Sequence, residues 1–369
     1  MEPHLYWMGF NLVKGIGAVR VQGLLRAFGD LKRAWHASQE ELEAVGLSAK
    51  AARSVVETRQ RVDLEQIWAS LAERGIRVLI VEDEEYPLRL KEVDQPPPVL
   101  YVRGEVKMED ALAVAIVGTR KVTAYGRQVT EELATCLAQN GVTVVSGLAR
   151  GVDGVAHQAA LKAGGRTIGV LGSGVDQIYP PEHLNLARQM TGAGAVISDY
   201  APGTPPEAVN FPPRNRIISG LSLAVVVIEA GESSGALITA TFAAEQGRDV
   251  LAVPGGIYNP LSKGTNRLIS QGARPLLAVD EVLDILNVAR QSQQVEARQL
   301  LPADPTEAQL LQIVEMEPIH IDEICEQSGL PVETVSATLT MMELKGLVRQ
   351  EGSMNYVAVH DARAQYGVD

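Results

Sequence analysis

From residue 113 onward, short runs of consecutive apolar residues alternate with amphipathic segments of helical length. A run of about four to eight apolar residues without polar alternation is typical of a strand that is buried on both faces. Strands and helices that alternate in this way form right-handed β-α-β crossovers. The pattern therefore predicts an α/β fold with a Rossmann-like, doubly wound parallel sheet over residues 111–290. Its predicted strands are residues 113–118, 142–147, 167–172, 195–198, 224–230 and 250–255.

The parts of the chain before and after this core follow other patterns. Residues 1–70 have helical periodicity and glycine-containing turns, which predicts an all-α domain that resembles the SAM-like (helix-hairpin-helix) fold. Residues 71–110 contain short apolar runs and a proline-rich spacer, which predicts a connecting strand segment leading into the core. Residues 291–305 are polar and predict a linker. Residues 306–369 contain three helical patterns and a strand pair, and they resemble a winged-helix domain.

The first hairpin of the N-terminal domain leaves two interpretations open. Gly15 and Gly17 can expose backbone N–H groups to a DNA phosphate, with Lys14 and Arg20 beside them. Glycines are also ordinary turn residues, and the second hairpin lacks the glycine pair. The alternative is that this domain serves for docking and does not touch DNA.

The net charge of −12 argues against a protein that binds polyanions over its whole surface. The charge is uneven, because residues 111–290 hold 14 Lys and Arg residues against 14 Asp and Glu, whereas residues 306–369 hold 3 against 11. The core can therefore carry a local cationic surface. Since DNA would repel the acidic C-terminal domain, we hypothesise that this domain binds protein or covers the cationic surface as a DNA mimic.

Several functional classes lack their sequence signals. No apolar run approaches the roughly 20 residues of a membrane helix and the N-terminus has no signal-peptide pattern, so we expect a cytoplasmic protein with no membrane partner. The turn after the first core strand lacks the G-x-G-x-x-G spacing, which argues against a dinucleotide. No Gly-Lys-Ser/Thr sequence is present, which argues against a Walker-type ATPase. We expect no cofactor and no metal.

The segment Phe-Pro-Pro-Arg-Asn-Arg at residues 211–216 is the strongest chemical signal. Its two prolines block an earlier helix, so we expect a helix to begin at about Arg214. The free N–H groups and the positive dipole end of that helix would then lie beside Arg214, Asn215 and Arg216. Helix N-termini of this kind bind phosphate groups.

Glycine-rich turns follow most of the predicted core strands. Because the carboxyl ends of parallel strands meet at one edge of a sheet, these turns should open on the same rim. We expect the rim to hold one groove with many backbone N–H donors and a cluster of guanidinium groups, which suits phosphates. The arginines expected to share this groove are Arg120, Arg150, Arg214 and Arg216.

The rim positions also carry a specific set of motifs, which resembles the DprA (Smf) family of DNA-processing proteins. The resemblance covers about residues 111–280, in order. The motifs are Ile-Val-Gly-Thr-Arg at 116–120, Ser-Gly-Leu-Ala-Arg-Gly-Val-Asp at 146–153, Gly-Ser-Gly-Val-Asp at 172–176, Phe-Pro-Pro-Arg-Asn-Arg-Ile-Ile-Ser-Gly at 211–220 and Ser-Gly-Ala-Leu-Ile-Thr-Ala at 234–240.

The resemblance implies a single-stranded DNA-binding recombination mediator rather than an enzyme. Such a protein protects incoming strands, helps to load the recombinase RecA in natural transformation, and forms a homodimer through the C-terminal part of the core, here residues 264–277. It implies DNA contacts by Arg120, Gly172, Ser173, Gly174, Val175, Asp176, Phe211, Arg214, Asn215 and Arg216, and the rim pattern adds Gly118, Thr119 and Arg150. For Phe211, base stacking and core packing both stay open.

An enzymatic alternative comes from the pair Pro-Gly-Gly at 254–256 and Gly-Thr at 264–265, which resembles LOG-type nucleotide phosphoribohydrolases. Those enzymes place a catalytic Glu two residues after the Gly-Thr pair, and this chain has Asn266, Arg267 and Leu268 there. Glu229 is the best remaining acid, but a single carboxylate has no partner for acid-base chemistry. His157 is expected to form a hydrogen bond at the rim.

Overall fold

The computed structural model describes residues 2–286, 305–314, 318–344, 348–350 and 354–358. The chain forms two compact units, Met1–Leu286 and Asn287–Asp369. The predicted linker over residues 291–305 lies outside the described residues, apart from Pro305. Within the described ranges, no helix is long and apolar enough to cross a membrane.

The N-terminal region is helical, as the periodicity predicts. Polar residues start several of its helices, since Asp30, Ser38, Ser48 and Asp63 each accept a hydrogen bond from a backbone N–H of the following first turn. In the first hairpin, the Arg20 guanidinium donates to the carbonyl of Gly15. The helices are α1 (Glu2–Asn11), α2 (Ala18–Phe28), α3 (Leu31–His36), α4 (Gln39–Ala44), α5 (Ala49–Arg61) and α6 (Leu64–Glu73).

A nine-stranded sheet follows, with strand order β1-β2-β6-β5-β4-β3-β7-β8-β9. The strands from β6 to β9 in this order are parallel, which confirms the predicted α/β fold. The strands are β1 (Arg77–Ile80), β2 (Val99–Gly104), β3 (Ala113–Val117), β4 (Thr143–Ser146), β5 (Thr167–Val170), β6 (Gly194–Ser198), β7 (Ala224–Val227), β8 (Asp249–Ala252) and β9 (Arg274–Pro275).

The segment predicted to connect the helical region to the core is itself part of the sheet. Strand β2 pairs antiparallel with β6, and β1 pairs antiparallel with β2, so both strands extend one edge. The helical region packs on this edge, since Met8, Phe10 and Trp35 share a core with Val99 and Tyr101. Helices and sheet therefore belong to one compact unit.

Helices cover both faces of the parallel strands, and the five strands β3 to β7 are buried along their whole length. The strand order reverses between β3 and β7, and in such sheets ligands bind outside the carboxyl ends at this point. The helices of this part are α7 (Leu88–Lys91), α8 (Ala124–Gln139), α9 (Val152–Lys162), α10 (Leu184–Ala193), α11 (Phe211–Gly220), α12 (Gly235–Glu245), α13 (Lys263–Ser270) and α14 (281–286), with short 3-10 turns at Met108–Ala111, Pro181–His183 and Ala208–Asn210.

The second unit has the predicted winged-helix arrangement. Its core includes Leu310, Ile324, Leu339 and Val348. A short strand that the sequence pattern did not predict, β10, pairs with β12 and completes a sheet of order β10-β12-β11. The elements are α15 (Pro305–Ile313), β10 (Ile319–His320), α16 (Ile321–Ser328), α17 (Val332–Leu344), β11 (Val348–Gln350) and β12 (Asn355–Ala358).

Candidate nucleic-acid interface

A cavity of about 660 Å³ lies at the carboxyl rim, where the strand order reverses. The turn after β3, the start of α11 and the start of α12 form its walls. The structure thus brings together several of the predicted site residues. Those that line this cavity are Gly118, Thr119, Arg120, Phe211, Arg214 and Asn215.

The turn after β3 is fixed at both ends by one residue, Glu229. The backbone N–H of Thr119 donates to the carbonyl of Glu229 at 2.8 Å. The carboxylate of Glu229 accepts hydrogen bonds from the N–H of Thr123 at 2.9 Å and from its hydroxyl at 2.6 Å. Thr123 in turn caps α8. The buried carboxylate that was the best catalytic candidate therefore holds the turn that carries Arg120.

Gly118 is required at the start of this turn by close packing. A Cβ atom at this position would lie 2.6 Å from Cγ2 of Val152 and 3.1 Å from the carbonyl oxygen of Glu229. Any other residue would push α9 or the end of β7 away. The chain after β3 can therefore bend closely over the sheet edge, with Arg120 at the outer side of the bend.

Arg120 and Lys121 are the available cations of the rim. Both side chains are exposed, and neither forms an ion pair or a side-chain hydrogen bond with any residue that the structure describes. The guanidinium carbon of Arg120 lies 5.6 Å from the centre of the Phe211 ring, a cation-π distance. Lys121 was not among the predicted contacts, although its position directly after Arg120 in the same turn was a signal for it.

Phe211 is half-buried, and it both packs and faces the cavity. Its ring centre lies 5.9 Å from that of Tyr179 and 5.8 Å from the guanidinium carbon of Arg214. A Cβ atom on Gly172 would lie 2.9 Å from Cδ1 of the ring, so the glycine makes room for it. The two interpretations of Phe211 are therefore compatible, since one ring can fill the space above Gly172 and still line the cavity.

Helix α11 begins at Phe211 rather than at about Arg214, so that expectation was wrong. The two prolines occupy the first turn, where a backbone N–H has no helical partner to lose. Arg214 consequently lies inside, with 5% of its surface accessible. Its Nη1 atom donates to the carbonyls of Gly147, at 2.8 Å, and Val170. Burial lowers the pKa of Arg214 to about 10, an effect that nearby Asp153 opposes.

Arg216 does not share the groove, which corrects the expectation for this residue. Successive helix residues are rotated by about 100°, so residues two apart point to nearly opposite sides. Arg216 donates to the carboxylate of Asp199 at 2.9 Å and to the carbonyl of Gln95 at 3.0 Å. Asn215, between them, donates to the carbonyl of Gly235 at 3.2 Å. Direct contact between Arg216 and DNA stays a prediction, and the ion pair with Asp199 argues against it.

The remaining predicted arginine, Arg150, is exposed next to Arg120 and Phe211, where all three line a small adjoining pocket. Its guanidinium forms an ion pair with Glu182, which raises the pKa of Arg150 and lowers that of Glu182. Because both groups are exposed, the pair is weak and a phosphate can compete for the arginine.

The predicted loop of residues 172–176 is bound internally. Ser173 donates to the carbonyl of Gln177 at 2.7 Å, Val175 is buried in the core, and Gly174 has no space for a side chain. Asp176 pairs with Arg74 and accepts a hydrogen bond from the N–H of Gly203. Burial alone would raise the pKa of Asp176, but these donors lower it. The loop thus shapes the rim and fastens it to the helical region.

His157 does not reach the rim, so that prediction was wrong. It is fully buried, and its Nδ1 atom lies 2.6 Å from the hydroxyl of Thr167 at the amino end of β5. Burial lowers the pKa of His157 to about 3, with smaller contributions from His183 and Arg214. The imidazole is therefore a neutral part of the core.

The motif pair behind the enzymatic alternative is held together by Asn266. The side chain of Asn266 accepts a hydrogen bond from the N–H of Gly255 at 3.2 Å and donates to its carbonyl at 2.9 Å. Thr265 is fully buried and donates to the carbonyl of Ser262. These contacts fix a loop, and they place no carboxylate at the position where the hydrolases carry one.

Comparison with known proteins places this geometry in a family. The model of the family described as DNA recombination-mediator protein A matches residues 77–287, and that of the DprA winged helix domain matches residues 294–353. The chain is 35% identical to "Protein Smf" of Synechocystis over 95% of this chain and 98% of that protein.

Two solved structures are also similar. The first is DNA processing protein A of Streptococcus pneumoniae, with a TM-score of 0.67 and 32% identity over 76% of this chain and 97% of that one. The second, of Helicobacter pylori, has a TM-score of 0.52 and 31% identity over 59% and 96% of the two chains, and its description concerns a single-stranded DNA binding mode.

Proposed function

The chain belongs to the DNA recombination-mediator protein A family, and we propose that it binds single-stranded DNA at the carboxyl rim of its parallel sheet. The observation that carries the proposal is the rim cavity, where the guanidinium of Arg120, which forms no ion pair with a described residue, lies beside the ring of Phe211. Sequence-independent single-strand sites combine these two components, because cations hold the phosphates and an aromatic face stacks on a base. Lys121, which follows Arg120 in the turn, and Arg150, which lines the adjoining pocket, add positive charge nearby.

Within this proposal, the predicted DNA contacts have different roles. Arg120, Lys121 and Phe211 touch the strand, and Gly118 and Thr119 offer the backbone of the turn. Arg214, Asn215 and the loop of residues 172–176 hold the cavity in shape, because their polar groups are bonded within the protein.

A titration of a fluorescent oligothymidylate at two salt concentrations tests the site. We expect Arg120→Ala to weaken binding about tenfold and to reduce the salt slope by about one unit or less, since one phosphate contact is lost. Arg188→Ala is the charge-matched control, because Arg188 is exposed on α10 and does not line the cavity. Equal losses in both variants would refute the site and leave only a general charge effect.

The proposal includes protection of incoming strands and loading of RecA during natural transformation. Support comes from family membership, together with the sequence-independent character of the site. The test is the lag before RecA hydrolyses ATP on DNA coated with single-strand-binding protein. The protein should shorten this lag, and Arg120→Ala should not.

We also propose a homodimer through residues 264–277. This segment contains all of α13 except its first residue and ends at Leu277, whose side chain is 73% exposed next to the edge strand β9. Leu277→Glu should halve the mass seen in sedimentation, because a carboxylate would be buried without a partner. Leu184→Glu, at an exposed leucine on α10, is the matched control and should not change the mass.

We propose that the protein is a recombination mediator and not a phosphoribohydrolase. The contacts of Asn266 favour this proposal, because its side-chain amide is hydrogen-bonded to the backbone of Gly255 and no carboxylate directly follows the Gly-Thr pair. Incubation with AMP should release no adenine, and measurable turnover would overturn this part of the proposal.

A further inference from the structure

Exposed aromatic side chains are scarce in this protein. Among the Phe, Tyr and Trp residues whose burial the structure describes, only Tyr125 and Tyr258 are exposed, at 48% and 92% of their surface. Tyr125 lies in the first turn of α8, shortly after Arg120, and Tyr258 lies in the loop that follows β8. Single exposed apolar residues are ordinary on protein surfaces. Here, however, both exposed rings lie at the edge of the sheet that holds the rim cavity.

The loop that carries Tyr258 is anchored. Asn266 of α13 binds both the N–H and the carbonyl of Gly255, as described above. The hydroxyl of Tyr125 donates to the carbonyl of Pro254 at 3.2 Å, which ties the loop to the start of α8. The Tyr258 ring is thus presented to solvent by a fixed backbone, which lowers the entropy cost of binding a ligand there.

The same loop reaches the rim cavity. Leu261, near its end, lines the cavity together with Arg120. Lys121 lies between Arg120 and Tyr125 in the chain, and no described residue forms an ion pair with it. The surface from the cavity towards Tyr258 therefore offers cations and aromatic rings, the components of a single-strand site.

We propose that the bound single strand extends beyond the cavity across Lys121, and that its bases stack on Tyr125 and Tyr258. This extension rests on the proposed function of the cavity. Lys121 holds the phosphate backbone, and the two rings accept bases of any sequence because every base has a π face. A strand is favoured as the occupant because the segment from Arg120 to Tyr125 begins at the cationic cavity, carries the further cation Lys121 and contains no carboxylate of its own.

Fluorescence anisotropy with labelled oligothymidylates of about 4 and about 16 nucleotides tests the extension, because these lengths span the usual single-strand site sizes. We expect Tyr258→Ala to weaken binding of the longer strand about tenfold and to leave the shorter strand within about twofold, since the short strand fills the cavity alone. Tyr258→Phe keeps the ring and should bind both strands like the unaltered protein.

Ile257→Ala is the matched control. Ile257 is adjacent to Tyr258 and 73% exposed, but it has no π face, so its removal should change neither affinity. If Ile257→Ala costs as much as Tyr258→Ala, or if either variant changes the sedimentation mass, the loop is a contact between copies of the chain and base stacking is refuted. An equal loss for both strand lengths also refutes it.

The outcome is distinguishable from failure of the cavity itself. Arg120→Ala should weaken both lengths. If it does so and Tyr258→Ala weakens neither, the extension is wrong and the cavity stands. If Arg120→Ala weakens neither length, the cavity is not the DNA site and the extension falls with it.

Discussion

Two segments at the carboxyl ends of the strands each carry a pair of closely spaced cations, but the two pairs differ in their surroundings. The turn after β3 presents Arg120 and Lys121, both exposed and without an ion pair among the residues described. The start of α11 contributes Arg214 and Arg216, whose guanidinium groups bind backbone carbonyls and Asp199. The first segment is available to a ligand, whereas the second holds the protein together.

The difference follows from the backbone that carries each side chain. A turn beyond the end of a strand has solvent on its outer side. A helix packed on a sheet buries one side, and a guanidinium there requires partners, because an unpaired buried charge is costly. The number of arginines near a site is therefore a poor measure of the charge that it offers to a ligand.

The largest expected effect is on stability, and it comes from the buried Arg214 at the start of α11. Arg214→Ala should lower the free energy of unfolding by about 3 kcal/mol, because two buried carbonyls lose their donor and buried Asp153 loses the positive charge that opposes the effect of burial on its pKa. Urea unfolding followed by tryptophan fluorescence measures this, since Trp7, Trp35 and Trp68 all lie in the same compact unit. Arg120→Ala is the comparison variant and should leave stability unchanged. Full stability of Arg214→Ala with a loss of DNA affinity would reverse the roles of the two segments.

Acid should destabilise the protein through His157, which is buried in the core. His157 has a pKa of about 3 in the folded chain and about 6.5 when unfolded, so its contribution to stability is fully present above pH 6.5 and is lost as the pH falls towards 3. Between these two pKa values the unfolded chain binds one more proton than the folded chain. The free energy of unfolding therefore falls by about 1.4 kcal/mol for each unit by which the pH decreases.

Urea unfolding at several pH values between 7 and about 4.5 measures this slope. His157→Gln removes the titrating group, so its stability should fall less steeply with acid, even if it is lower at every pH. Parallel curves for the two proteins would contradict the prediction, because the acid sensitivity would then come from carboxylates alone.

The smallest expected effect concerns the exposed turn after β3, which Glu229 holds in place. Glu229→Ala frees Thr123 and loosens the turn that carries Arg120, so single-strand affinity should fall about fivefold, while Glu229→Gln keeps an acceptor for the Thr123 N–H and should retain most of it. Anisotropy titrations measure both. In an Arg120→Ala background the Glu229→Ala change should cost nothing further, because coupled residues are not additive. An additive loss would mean that Glu229 acts elsewhere.

Much of the fold was predictable, because local pattern determines it. Continuous apolar runs identified the parallel strands β3 to β8. Helix geometry could also have predicted that Arg214 and Arg216 do not share a groove, because residues two apart in a helix point to nearly opposite sides. Short apolar runs in residues 71–110 predicted strands there, but no local signal showed that β1 and β2 pair antiparallel at the edge of the sheet. The short strands β9 and β10 also had no local signal, because they depend on pairing with distant segments.

The sequence by itself determined the fold class, the family motifs and the edge of the sheet at which the rim cavity lies, because these follow from periodicity and from the rule that parallel strands end together. Only the tertiary structure decided which cations are available. The partners that bind Arg216, Arg150 and Arg74 are Asp199, Glu182 and Asp176. Each of these carboxylates comes from another segment of the chain, and an ion pair forms only when folding brings both groups within a few ångströms.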